Sequence, residues 1–205
     1  MAEIIYILTN PVMPNLVKIG RTTNLEERIR ALSAHSGVPI PFEVFYACEV
    51  ADANRVERHV HDGLGDHRIN PKREFFRINP ERVISILELV SIREVTPGED
   101  YVTDAEEKQA LAKERERREV FRFSLANVPV GATLRFVRNP DITATVVDDK
   151  RVEFEGSVTS LSAAARDVLV KDHGWTIKAV QGPLYWTYDN QTLSELRQQM
   201  EEGAG

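Results

Sequence analysis

A chain of 205 residues holds one domain or two small ones, and 42% hydrophobic with 28% charged residues is the balance of an ordinary globular protein. A formal net charge of −6 argues against a general nucleic-acid coat but leaves room for a local basic site. No apolar run approaches the ~20 residues that span a bilayer, the N-terminus lacks the basic region and cleavage site of a signal peptide, and a lone cysteine, Cys48, excludes an internal disulfide and a cysteine-rich zinc site. The expected setting is the cytoplasm, with no membrane partner.

Ile4–Thr9 reads as a strand, 10–15 as a Pro- and Asn-rich turn, and Leu16–Gly20 as the returning strand. Asn24 opens a helix to Leu32, with Glu26 and Glu27 in the first turn, where the helix dipole favours acids. Gly37, Pro39 and Pro41 end that unit. Phe42–Val50 reads as a strand that buries Cys48. Asp52 caps a helix running to Leu64, Glu74–Ile78 is a short extended piece, and Pro80 starts a helix with Ile84, Leu87 and Leu89 on its apolar side. The order is ββαβα plus a short strand and helix, an α+β pattern with a small mixed sheet, over residues 1–95. Residues 96–119 read as a linker, mostly a highly charged helix from Thr103.

Residues 120–205 read as a second small α+β domain. Leu134–Val137, Thr143–Val147 and Arg151–Glu155 alternate apolar and polar residues as strands do, with Asp148-Asp149 as a hairpin turn. A helix over Ser160–Val170 is capped by Ser160 or Ser162. Leu184–Thr187 reads as a last strand, and Thr192 with Glu195 signals the capping box of a last helix.

Two charges fall where amphipathic helices place apolar groups. Arg28 borders the stripe Leu25, Ile29, Leu32, and Glu57 lies within the stripe Ala53, Val56, Val60, Leu64. A charge on a core-facing stripe is penalised unless it has a partner, a metal or a task. Pairing of Glu57 with Arg28 or Arg58 is the bland alternative. The basic residues Arg55, Arg58, Arg68, Lys72, Arg73, Arg77 and Arg82 cluster in the second half of this segment, whose 12 basic and 13 acidic side chains nearly cancel. His35, His59 and His67 read as solvent-exposed.

Ile4-Ile5-Tyr6-Ile7-Leu8, Val17-Lys18-Ile19-Gly20, Arg28 and Glu57 together resemble the GIY-YIG endonuclease module, in a short phage and bacterial branch with Lys-Ile-Gly as its second motif. Lys18 stands where most members have a second tyrosine. The resemblance implies a phosphodiester-cleaving site. Tyr6 would be a general base or a water-positioning hydroxyl, its pKa lowered by Lys18, and Arg28 would grip the scissile phosphate. Glu57 would hold Mg2+ or Mn2+. Gly20 would admit the substrate, with Arg21 and Arg68 on phosphates. His61, one turn after Glu57, would touch phosphate or relay a proton, and Asn70 or Asn79 would match the family's late asparagine.

In the second domain, residues 129–134, 154–156, 160–165, 182–186 and 192–196 are similar to a RAMA-like module, which implies recognition of DNA and of its modification. From the residues alone, Trp175, Tyr185, Trp186 and Tyr188 are candidates for base stacking, with Trp186 expected to bind substrate. Arg135, Arg138, Lys150, Arg151 and Lys178 are candidates for phosphate contact. The expectation is a metal-dependent DNA endonuclease of the restriction or phage-defence type, working as a homodimer. A DNA-binding regulator without catalysis and an RNA- or structure-specific nuclease are the alternatives.

Overall fold

The structure, a computed structural model, describes residues 3–13, 15–34, 37–119, 121–173 and 180–203. They form two compact units, Met1–Glu114 and Arg115–Gly205, each with its own antiparallel sheet. The class is α+β.

The first unit runs β1 (Glu3–Thr9), β2 (Leu16–Thr22), α1 (Leu25–Ser33), β3 (Glu43–Val50), α2 (Ala53–Gly63), β4 (Phe75–Arg77), α3 (Pro80–Leu87) and β5 (Arg93–Glu94). The strand order is β4-β2-β1-β3-β5. Every pairing is antiparallel, where the sequence suggested a mixed sheet. The reason is topological: β2 and β3 run the same way, but β1 lies between them. Both main helices begin as expected. Asn24 accepts the Glu27 N–H at 3.2 Å, and Asp52 accepts the Arg55 N–H at 2.8 Å. Helix α3 stops earlier than its apolar stripe implied; Leu89 lies beyond it and is 84% exposed. Cys48 is buried, as expected.

The charged helix is α4 (Ala105–Glu119). Its N-terminal half is packed, because Leu111 is buried against Ile40 and Val102.

The second unit holds a six-stranded sheet in the order β11-β10-β6-β7-β8-β9. Its strands are β6 (Thr133–Phe136), β7 (Thr143–Val146), β8 (Arg151–Phe154), β9 (Ser157–Ser160), β10 (Trp186–Tyr188) and β11 (Gln191–Thr192). The helices are α5 (Leu161–His173), α6 (Gly182–Tyr185) and α7 (Leu193–Gly203). Ser160 caps α5, and Thr192 and Glu195 close the capping box of α7. The expected strand over Leu184–Thr187 is instead a helical turn followed by β10. Strands β9 and β11 are short pieces that the alternation did not reveal.

Candidate functional site

Residues opposite each other in an antiparallel pair project to the same face. Tyr6 faces Gly20 and Leu8 faces Lys18, so Tyr6, Lys18 and the bare Cα of Gly20 share one face. Helix α1 covers it through Leu25 and Ile29, which pack with Ile4, Tyr6 and Leu8. Tyr6 is fully buried. Its ring lies across Gly20, where a Cβ would stand 2.6 Å from the hydroxyl. The space expected to admit substrate at Gly20 is therefore taken by Tyr6, and the glycine is needed for the tyrosine.

Arg28 stands on the exposed side of α1 and donates from Nε to the Tyr6 hydroxyl at 3.1 Å. The outer Nη edge is left for an anion. Burial pushes the Tyr6 phenol above its ordinary range. The Arg28 hydrogen bond and charge oppose this without cancelling it, and the Glu74 and Glu57 carboxylates add to the rise. The hydrogen bond to Tyr6 likewise raises the Arg28 guanidinium further. Lys18 was expected to lower the phenol. It does not act that way, because its ammonium is committed to Glu74.

Arg21, on the opposite face of β2 by alternation, donates from Nε to Glu57 Oε2 at 2.9 Å. Glu57 is 17% exposed at the side chain and Arg21 48%. Neither Arg28 nor Arg58 takes the carboxylate. One turn on, His61 Nε2 lies 3.0 Å from the Ile19 carbonyl, with its ring 5.0 Å from that of Phe76. A carbonyl only accepts, so Nε2 carries the hydrogen. Strand β4 pairs with β2 only at Leu16–Lys18. Gly20, Arg21 and Thr22 thus lie past the end of that partner strand.

The site contains one residue to which the motifs assigned no role, Glu74, in a run Glu74-Phe75-Phe76 that resembles a feature of the Lys-Ile-Gly branch. Glu74, just before β4, pairs with Lys18. Lys18 is buried, with the Phe75 ring 5.5 Å from its ammonium. Burial raises the Glu74 carboxyl, but Lys18 outweighs this and, aided by the charges of His61 and Arg28, holds it below the ordinary carboxylate range. A carboxylate beside two phenylalanines was the available signal; the register that sets Lys18 opposite Phe75 was not.

Other candidates fall elsewhere. Arg68 donates from Nε to the Arg73 carbonyl at 2.7 Å and lies 5.6 Å from the centre of the Phe76 ring, closing a turn. Asn70 accepts the Lys72 N–H and Asn79 caps α3, so both make local turns. His59 and His67 are exposed. His35, Trp175 and Lys178 lie outside the described residues. Trp186, expected to bind substrate, is fully buried. Its Nε1 donates to the Leu161 carbonyl at 3.2 Å and its ring packs edge-on against Phe136 and Phe154. It is core, because β10 turns it to the inner face. Tyr185 is buried as well, whereas Tyr188 is half-buried and lines a polar cleft with Thr133, Arg135, Thr187, Asp189 and Asn190. Arg151 pairs with Asp148.

Among the described residues, no three His, Cys, Asp or Glu side chains gather as an all-protein metal cage. Glu57 nonetheless suits magnesium. Its Oε2 is bound to Arg21, Oε1 has no hydrogen-bond donor among the described residues, and Mg2+ asks for one or two protein oxygens while keeping most of its waters.

The first unit is a small α+β domain that carries an exposed guanidinium on a buried phenol and two carboxylates, each paired with a cation. Residues 3–91, β1 through α3, match the family model of the T5orf172 domain, which occurs in phage-type nuclease-like proteins. No curated protein and no solved structure matches the chain. No helix among the described residues is long and apolar enough to cross a membrane.

Proposed function

We propose that this protein is a metal-dependent DNA endonuclease of the GIY-YIG type. The observation that carries the proposal is the Tyr6–Arg28 pair seated on Gly20, with the charges of Glu57 and Glu74 both felt at that pair. Tyr6, buried and un-ionised at neutral pH, serves as an anchor. By accepting from Nε it aims the two Nη groups of Arg28 outward, where they meet the non-bridging oxygens of a scissile phosphate and stabilise the charge that grows there. Arg21, half-exposed beside Glu57, contacts a neighbouring phosphate. Glu57 would hold Mg2+ or Mn2+, and the ion would supply Lewis-acid stabilisation of the phosphate and of the leaving oxygen. His61, anchored through Nε2 on the Ile19 carbonyl, stands one turn from Glu57.

The second unit, whose sequence is similar to a RAMA-like module, supplies target or modification recognition through its open polar face and the cleft beside Tyr188. The setting is a restriction or defence role against phage in the cytoplasm. Because one site cuts one strand, double-strand cutting calls for two protomers.

Plasmid nicking with Mg2+ tests the reading. Wild type cuts, while Arg28→Ala and Glu57→Gln do not. Equal activity, or none, in all three proteins removes the enzyme. Binding of duplex DNA without cleavage supports the regulator instead, and preference for RNA or for branched substrates supports the second alternative.

A further inference from the structure

A phosphodiester hydrolase without a covalent intermediate needs an acceptor for the proton of the attacking water. The residue that the motif offers, Tyr6, is poorly placed. It is fully buried, its hydroxyl oxygen already accepts from Arg28, and the Gly20 backbone lies beneath its ring. Glu57, 17% exposed, gives one oxygen to Arg21, and the other is assigned above to the metal. Glu74 is different. Its side chain is 36% exposed, against 9% for its partner Lys18. Only Oε2 is engaged, and Oε1 has no hydrogen-bond donor among the described residues. Its partner Lys18 shares a sheet face with Tyr6, whose hydroxyl holds Arg28.

We infer that Glu74 is the proton acceptor of the cleavage reaction and that Lys18 is its positioning residue. The inference rests on the nuclease reading above. The water oxygen forms a bond to phosphorus as its proton passes to Glu74 Oε1. The bond from phosphorus to the leaving oxygen breaks, and that oxygen takes a proton from solvent. Glu74 then returns its proton to solvent, so one water is consumed and a phosphomonoester and an alcohol are left. Lys18 contributes from inside the fold. Its ammonium, seated over Phe75, holds Oε2 and fixes the direction of Oε1. The pair is local by construction: the Lys18 strand position faces Phe75, and the Glu74 carbonyl accepts the Ile19 N–H at 3.2 Å.

The charged and titratable groups around Glu74 are Lys18 on β2, His61 on α2, Arg28 on α1 and Tyr6 on β1. Lys18 is the dominant cause of its low pKa, so removing Lys18 must move the acid limb of cleavage upward.

The test uses the full-length protein on plasmid DNA with Mg2+, following kcat and kcat/KM against pH. Glu74→Gln, which keeps the shape, is expected to lower kcat by ~10²–10³-fold with KM little changed. Lys18→Met is expected to shift the acid limb of kcat/KM to higher pH, and Lys18→Arg to leave it in place. Carbon-13 carboxyl NMR of the same proteins is expected to show Glu74 titrating higher in Lys18→Met; this reads the pairing even if that variant cuts poorly. Mn2+ binding, followed by electron paramagnetic resonance, is expected to survive Glu74→Gln. An active wild type with an equally active Glu74→Gln overturns the inference alone. So does an acid limb unmoved in Lys18→Met, or loss of Mn2+ in Glu74→Gln, which would make Glu74 a metal ligand. A wild type that cuts nothing overturns both this inference and the nuclease.

Discussion

The two units place their polar groups in opposite ways. In the first, Tyr6, Lys18, Thr9, Asn10, Asn79 and Glu81 are buried among aliphatic side chains. In the second, the sheet separates cleanly. Leu134, Phe136, Ala144, Val146, Val152, Phe154 and Trp186 face the core, while Thr133, Arg135, Thr143, Thr145, Arg151 and Glu153 face water. Thr192 is its buried polar residue among those described, and it caps a helix. Burying an ammonium or a phenol is costly unless partners compensate. A fold that needed only to be stable would resemble the second unit. The first accepts that penalty where Lys18 meets Glu74 and Tyr6 meets Arg28, and these are the groups assigned to chemistry.

The comparison can be broken experimentally. The largest effect is expected from Trp186→Ala, which empties the centre of the second core and should destabilise that unit by ~3–5 kcal/mol. Denaturant unfolding should show this while the first unit keeps its own transition; a uniform loss across both transitions would mean that the units are not independent. Next comes Arg28→Ala. Cleavage should fall ~10²–10³-fold, and stability should fall by ~1–3 kcal/mol because the buried Tyr6 hydroxyl loses its partner. Gly20→Ala should cost ~1–3 kcal/mol, since its Cβ meets the Tyr6 hydroxyl and the ring must shift. It should also impair cleavage, and a stable, fully active variant would contradict the packing described here.

A smaller effect belongs to pH. The Glu74 carboxyl is held low in the folded chain, so its contribution to stability is complete above its ordinary value of 4.5 and is lost as pH falls through the folded value. Acid unfolding of Lys18→Met should therefore lack this part of the pH dependence. The smallest effect is expected from Arg135→Ala on the open face of the second sheet. Stability should stay within ~0.5 kcal/mol, and fluorescence anisotropy should show weaker duplex binding if the cleft beside Tyr188 meets DNA.

The amino-acid order by itself determined most of the framework. Capping residues such as Asn24, Asp52 and Thr192, and the alternation in 133–154, are local signals that act within a few residues, so they were legible without a fold. The order also placed Tyr6, Gly20, Arg28 and Glu57 in a recognisable spacing. It did not decide which partner each of them has. Arg21 rather than Arg28 or Arg58 holds Glu57, Tyr6 rather than substrate fills the space at Gly20, Glu74 engages Lys18, and Trp186 turns inward. These choices depend on strand register and on which face a helix covers. Register shifts by one residue exchange the two faces of a strand, and such contacts join positions up to 56 residues apart in the chain. Only the folded sheet brings them together.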